Sequence, residues 1–105
     1  MEERSGIGPV ALAAGTEVET ASARGLKLVS PVAHPHGTVL EFEILLGARP
    51  LPVMARVSEC RPHGPLRHSV VTEFLAMAQA DQDSLADFLQ AVGPASLAVR
   101  PRRPL

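Results

Sequence analysis

The sequence predicts a mainly β fold, namely a small antiparallel barrel or curled sheet followed by one amphipathic helix. Two observations predict it. Up to residue 74, apolar and polar residues alternate in short runs that are separated by segments rich in proline and glycine, which is typical of half-buried strands joined by turns. From residue 81 the period changes, and apolar residues recur at the spacing of one helical face. The sequence contains neither an internal repeat nor a strand–helix–strand alternation.

The strands are expected in chain order. Residues 7–14 are apolar but contain Gly8 and Pro9, so they predict only a loose edge strand. In residues 38–46, the clearest strand, Leu40, Phe42 and Ile44 face one way, whereas Glu41 and Glu43 face solvent on the other side. The two prolines and the glycine of residues 47–52 predict a hairpin connection. The other strands are predicted at residues 16–20, 26–29, 53–60 and 69–74.

The helix is expected from Asp81 to Val92, because its apolar residues fall at positions i, i+3, i+4 and i+7. Asp81, Asp83 and Ser84 are expected in its first turn, and the Gly93–Pro94 pair ends it. Residues 93–105 carry Arg100, Arg102 and Arg103 among prolines, and they are predicted to be a frayed tail. The domain organisation is therefore an N-terminal extension at 1–6, one folded domain at 7–92 and a tail at 93–105.

Composition indicates one folded domain. Of the 105 residues, 46% are hydrophobic and 20% are charged, and the net charge is −1, so no global attraction to nucleic acid or to anionic membranes is expected. The single cysteine, Cys60, excludes an internal disulfide and suits a reducing compartment. Since the sequence shows neither a signal peptide nor a long apolar run, we expect a cytoplasmic protein without membrane insertion.

The segment Ser22–Gly25 is the strongest candidate for a site. It is a small polar run that turns through Gly25 into a strand, and such a corner can either hold a phosphate or close a hydroxyl-capped turn. In the second interpretation Gly25 is needed for a positive φ. Arg24 is either a ligand-binding cation or a solvated charge at the end of a strand.

Catalysis and metal binding have less support. His34 and His36 flank a proline and could bring two imidazoles to one metal ion, but no acidic or cysteine partner is near them in the sequence. The four histidines (His34, His36, His63 and His68) are therefore expected to be exposed in loops. No nucleophile and base, and no carboxylate pair, stand at a recognisable spacing, so we expect no enzymatic activity and no cofactor.

The order of these elements resembles the PilZ domain family of bacterial second-messenger receptors. The family motif is Asp or Asn, any residue, Ser, any two residues and Gly, leading straight into an alternating strand, and residues 20–28 match it at Ser22, at Gly25 and in the strand. Residues 35–44 are similar to the family's turn and central strand. Residues 71–75 are similar to its closing Val/Gly-x-Glu-Phe signature, and the helix follows, so that the resemblance covers roughly residues 7–92.

The resemblance implies a six-stranded antiparallel β-barrel with a C-terminal helix, and cyclic di-GMP as the usual ligand. In that family an Arg-x-x-x-Arg pair ahead of the first strand binds the nucleotide together with the corner. This sequence lacks the pair, since Arg4 is the only arginine before the first strand, and Thr20 replaces the Asp or Asn. The ligand-binding residues that the resemblance implies are Thr20, Ser22, Arg24, Gly25 and Arg4.

Degenerate members of the family act mainly as protein-interaction adaptors, some of them in type IV pilus assembly and motility. We therefore expect a regulatory adaptor of cyclic di-GMP-related signalling that binds a protein partner and binds cyclic di-GMP weakly or not at all. The alternative is a genuine cyclic di-GMP receptor whose arginines come from Arg4, Arg24 or a partner chain. The basic tail is the one feature that would argue for nucleic-acid binding, and no nucleic-acid partner is expected.

Overall fold

The computed structural model describes residues 8–102, and within them the chain is mainly β, as predicted. The helix α1 spans Gln79–Val92, and a 3₁₀ turn at Pro94–Ser96 follows it. Seven strands are present in this part of the chain: β1 (Val10–Ala11), β2 (Glu17–Ala21), β3 (Leu26–Ser30), β4 (Val39–Leu46), β5 (Arg49–Pro62), β6 (His68–Phe74) and β7 (Ala98–Pro101).

All seven strands belong to one sheet, in the order β1–β4–β5–β6–β3–β2, and β7 also pairs with β4. Every pair is antiparallel except β1 with β4, where Val10 lies opposite Leu40 in a parallel arrangement. The sheet curls enough for β2 to contact β7 and the 3₁₀ turn. Within residues 8–102 the strands at its two ends are not hydrogen-bonded to each other, so the closed six-stranded barrel is not confirmed. Strand β1 has only two residues and follows a proline, so it has few backbone groups that could form the hydrogen bonds needed to close the sheet into a barrel.

The core lies on one face of the sheet, where the alternation of the sequence predicts it. Leu40, Phe42 and Ile44 of β4 are completely buried, and β5 contributes Ala55 and Val57 beside them. Burying a side chain of the size of leucine or phenylalanine stabilises the fold by about 1.5–3 kcal/mol. The strands therefore form where their apolar positions can reach this common core.

Strand β5 begins earlier than the sequence predicts. The hairpin connection is not residues 47–52 but only Gly47 and Ala48, and Pro50 and Pro52 lie in β5 opposite Leu45 and Glu43. The prolines are tolerated because the β6 pairing of β5 extends no further toward the turn than Ala55, so their missing N–H groups face an unpaired edge.

Helix α1 contributes one completely buried side chain, Leu85, to the core, and the partly buried Phe88 and Leu89 pack against the same core. The helix begins two residues before the predicted start, with Ala78 as a cap that makes no side-chain hydrogen bond, and only Asp81 among its first-turn residues is acidic. Ser84, predicted in the first turn, lies further along and accepts a hydrogen bond from Arg49 Nη1 at 3.4 Å. Gly93 ends the helix as predicted, with a φ of 82° and its N–H donating to Leu89 O.

The prediction of a frayed tail is wrong for the described part of residues 93–105. Leu97 is only 5% exposed, and β7 pairs with β4 from Leu45 to Phe42. Arg100 lies opposite Glu43 and donates from Nε to its Oε1 at 2.7 Å. The edge of β4 has backbone groups that need hydrogen-bond partners, and it carries two carboxylates. The C-terminal segment pairs with this backbone through β7, and its arginines pair with the carboxylates.

The carboxylates of β4 do not face solvent alone, as the alternation of the strand suggests. Instead Glu43 pairs with Arg100 and Glu41 with Arg102. No helix among residues 8–102 combines the length and the apolar character needed to cross a membrane.

Candidate functional site

The predicted corner is the loop that joins β2 to β3. The Ser22 N–H donates to Gly25 O at 3.0 Å, and the Arg24 N–H donates to Ser22 Oγ at 3.2 Å. The serine hydroxyl therefore accepts a hydrogen bond inside its own turn, which is the arrangement of a hydroxyl-capped turn. Both Ser22 and Arg24 are exposed at the surface.

Gly25 is required for a reason other than the predicted one. Its φ does not lie in the positive region. A Cβ at this position would lie 1.9 Å from the backbone O of Thr72. The prediction of a positive φ at Gly25 is therefore wrong: the glycine allows the corner to pass directly over the backbone of β6.

Three hydrogen bonds hold the corner on β6. The buried Thr72 donates from Oγ1 to Leu26 O at 3.0 Å and accepts from the Leu26 N–H at 3.3 Å. The Phe74 N–H donates to Arg24 O at 2.8 Å. In the sequence Thr72 alternates with Val70 and Phe74, and a polar residue on such an apolar face is the signal that could have indicated a specific buried contact.

The corner borders two clefts. The larger, of about 460 Å³, lies between the corner and α1, and Arg24, Glu73 and Gln82 supply its polar side chains. The smaller, of about 270 Å³, has Thr20, Ser22, Arg24 and Gly25 in its lining. The structure therefore brings together four of the five residues implied by the resemblance, whereas Arg4 lies outside the described residues. Sequence reasoning did not place Glu73 at this site.

Glu73 changes the electrostatics of the larger cleft. Its carboxylate shares the lining of this cleft with the guanidinium of Arg24. A phosphate that approaches Arg24 would therefore meet negative charge, and at short range this repulsion offsets the attraction of the guanidinium. The larger cleft therefore carries one positive and one negative side chain among the described residues of its lining.

The connection between β6 and α1 lies between the larger of these clefts and a more apolar cleft, since Ala76 and Met77 line both. Ala76 in this connection has a φ of 52°, a left-handed conformation that costs a non-glycine residue about 1–2 kcal/mol. Gln82 Nε2 donates to Met77 O at 3.0 Å and holds the connection in place. Strain of this kind accumulates at segments that present a binding surface.

Beyond this connection lies an exposed apolar surface, which we call the Met54 face and define by Val10, Met54, Leu75 and Met77. The Leu75 N–H donates to Met54 O at 2.8 Å, so that β5 and the end of β6 hold the two side chains together. Val10 and Met54 are each 39% exposed. A cleft of about 380 Å³ opens here, and none of the described residues that line it is charged. A second cleft of about 270 Å³ has Asp81 and Arg102 in its lining.

His34 and His36 are the residues that the sequence offers as possible metal ligands. Among residues 8–102, no three histidine, cysteine, aspartate or glutamate side chains stand where they could hold a metal ion. The prediction that all four histidines are exposed in loops is wrong for His34, which is 5% exposed, and for His68, which is half-buried in β6. The Nε2 atom of His34 has no hydrogen-bond partner within the described part of the chain. Burial lowers the pKa of His34 below its usual 6.5, and the nearby His68 lowers the pKa further.

We expect His34 to make the fold less stable in mildly acidic solution. The unfolded chain takes up a proton on this imidazole near pH 6.5, whereas the folded chain does so only at a lower pH. The free energy of unfolding should therefore fall as the pH drops below about 6.5. Urea unfolding at a series of pH values measures the slope. The variant His34→Leu should weaken this dependence, whereas His36→Gln, at an exposed position, should keep it; equal slopes for all three proteins would contradict the expectation.

Comparison with known proteins leaves the family open, since no protein-family model matches this sequence, nor does any curated protein or solved structure.

Proposed function

We propose that this chain is a PilZ-like regulatory adaptor of cyclic di-GMP-related signalling, which binds a protein partner through the Met54 face and binds the nucleotide weakly or not at all. According to this proposal, the curled sheet is a variant of the PilZ barrel. The cellular process that the adaptor would regulate is type IV pilus assembly or motility. The observation that carries the proposal is the apolar cleft at the Met54 face, which lies open at the surface and has no charged residue among residues 8–102 in its lining.

The composition of the Met54 face favours a polypeptide as its occupant. The second cleft at this face is lined mainly by apolar residues together with the charged Asp81 and Arg102, and protein–protein interfaces likewise combine apolar and charged residues. Methionine adapts to different apolar surfaces because its side chain is unbranched and polarisable. The matching partner is an uncharged apolar segment of another protein, since a charged group would lose hydration in the apolar cleft at this face without gaining a counter-charge.

The corner argues against tight nucleotide binding. The Ser22 hydroxyl already accepts the Arg24 N–H. Among residues 8–102, Arg24 is the only arginine in the lining of the two clefts, and Glu73 lines the larger cleft with it. Each charge-assisted hydrogen bond that is missing relative to the family pattern is worth about 1.5–3 kcal/mol. The absence of the Arg-x-x-x-Arg motif and of the Asp or Asn at position 20 therefore weakens binding by orders of magnitude.

Partner capture tests the adaptor proposal. The wild-type chain, immobilised and exposed to the cytoplasmic extract of its own cells, should retain a partner that Met54→Lys no longer retains, because a lysine places an unpaired charge in the apolar cleft. Val92→Lys is the matched control, since Val92 is also an exposed apolar residue but lies at the far end of α1. Equal retention by the two lysine variants would contradict the Met54 face as the docking surface.

Calorimetric titration with cyclic di-GMP tests the alternative, in which the corner is a working receptor site. We expect no submicromolar binding by the wild-type chain. Submicromolar affinity that is abolished by Ser22→Ala would overturn the adaptor proposal and favour a receptor. In that case Arg24→Ala would show whether the exposed guanidinium contributes to the affinity.

A further inference from the structure

The hairpin between β5 and β6 presents an exposed apolar side chain at its tip. Seven consecutive residues, from Arg61 to Arg67, are exposed, and Leu66 is 89% exposed, more than any other large apolar residue in the described chain. The loop itself is ordered by a hydrogen bond from the His63 N–H to Arg67 O at 2.9 Å. A defined backbone therefore holds this leucine away from the core.

The backbone conformation of Leu66 is unfavourable for a leucine. Its φ is 64°, in the left-handed region that favours glycine or asparagine. A glycine here would relieve the strain, and a polar residue would remove apolar surface from water. In the isolated chain, leucine is unfavourable on both counts, which points to a use for the side chain outside the chain.

The charge around Leu66 is positive. The segment 60–72 contains Arg61, Arg67, His63 and His68 and no acidic residue. Arg61 is engaged with Glu59 at 2.8 Å. Arg67 has no carboxylate within ion-pairing distance in the part of the chain that the structure describes, so it is the cation best placed to pair with a partner's carboxylate.

We propose that the tip of the β5–β6 hairpin inserts Leu66 into an apolar pocket of a protein partner, and that a carboxylate beside this pocket pairs with Arg67. A protein pocket fits better than a bilayer, because one leucine buries too few methylene groups to hold a protein at a membrane. It also fits better than nucleic acid, since an apolar side chain at the apex makes no hydrogen bond to bases or phosphates.

This contact surface is distinct from the Met54 face. Met54 and Leu75 lie toward the α1 end of β5 and β6, whereas Leu66 lies at the opposite end of the same two strands. At about 3.3 Å per residue, the eight steps along β5 from Met54 to Pro62 separate the two surfaces by roughly 26 Å. A variant in one surface therefore leaves the other intact, and the two proposals fail independently.

Site-specific photo-crosslinking in the native cells tests the proposal. A photoreactive amino acid at position 66 should crosslink to a protein, and the same residue at position 48, in the exposed turn between β4 and β5, is the control. Arg67→Glu should lower the crosslinking yield at position 66 at least tenfold, whereas Met54→Lys should leave it unchanged. Crosslinks to lipid or nucleic acid, a yield no higher than at position 48, or a yield unaffected by Arg67→Glu would each overturn the proposal.

The partner identified in this way allows a second measurement with purified proteins. Leu66→Gly should weaken binding at least tenfold and at the same time shift the urea midpoint of the chain upward, because glycine accepts the left-handed backbone. Loss of affinity together with a gain in stability separates a contact role from a structural one. Unchanged affinity of Leu66→Gly would overturn the insertion of this side chain.

Discussion

Gly25→Ala is expected to destabilise the fold by about 3 kcal/mol, through overpacking against a backbone that cannot move aside. The new Cβ would lie 1.9 Å from Thr72 O, so the corner must lift away from β6. Lifting breaks the hydrogen bonds from Thr72 to Leu26 and from the Phe74 N–H to Arg24 O. Urea unfolding, evaluated by linear extrapolation, measures the loss.

Gly8→Ala is the matched control for this substitution. A Cβ added at Gly8 would meet no heavy atom within 4 Å, and Gly8 does not adopt a positive φ, so its replacement should change the free energy of unfolding by less than about 0.5 kcal/mol. A Gly25→Ala variant as stable as Gly8→Ala would show that the corner does not rest on β6 as described. Neither glycine has a positive φ, so backbone conformation affects both substitutions alike. A difference in stability between the two variants therefore measures the steric contact of the added Cβ with β6.

A chain that ends at Gly93 is expected to lose about 4 kcal/mol or to remain unfolded. The truncation removes Leu97 from the core, and a buried leucine alone is worth about 2–5 kcal/mol when it is cut back to alanine. It also removes β7, which leaves residues 42–45 of β4 unpaired on that edge and Glu43 without Arg100. Since small domains have a total stability of about 5–15 kcal/mol, such a loss is a large fraction of the whole.

Two leucine substitutions in the full-length chain identify the cause of this loss. Leu97→Ala should account for most of it, whereas Leu66→Ala should change the free energy of unfolding by less than about 0.5 kcal/mol, because Leu97 is 5% exposed and Leu66 is 89% exposed. If the truncated chain unfolded at the same urea concentration as the full chain, the segment would be the frayed tail that its composition predicts.

The sequence predicts the central strands well for a simple physical reason. In β4 the alternation of Leu40, Phe42 and Ile44 with two glutamates is strict, and each apolar residue is completely buried in the structure. A strand that alternates in this way has only one face to place against a core. The helix is predicted for the corresponding reason, and Gly93 ends it where expected.

The late predicted start of β5 and the missed strand β7 have a common origin. Prolines argue against strands because they lack a donor, yet Pro50 lies on an edge where no donor is needed, and Pro101 lies in β7 opposite Phe42. Whether a proline is tolerated depends on which neighbour lies beside it. That neighbour is decided by tertiary pairing, which local patterns do not contain.

At the candidate site, too, the sequence predicted the local features and missed those that depend on tertiary pairing. The sequence identified the corner through Ser22 and Gly25, because a hydroxyl and a glycine between two strands predict a tight turn. It missed the reason for the glycine and the presence of Glu73, because both depend on β6, which is about fifty residues further along the chain. Only the sheet pairing brings that strand over the corner.

By itself, then, the sequence determined the mainly β class, the positions of the central strands, the helix and the corner, since each follows from the spacing of residues that are near one another in the chain. The tertiary structure alone decided that the sheet stays open, that residues 98–101 complete the edge of β4, and that Met54 and Leu75 form one exposed apolar face. These features depend on contacts between residues far apart in sequence, and the free energy of such contacts comes from burial and pairing that no local period encodes.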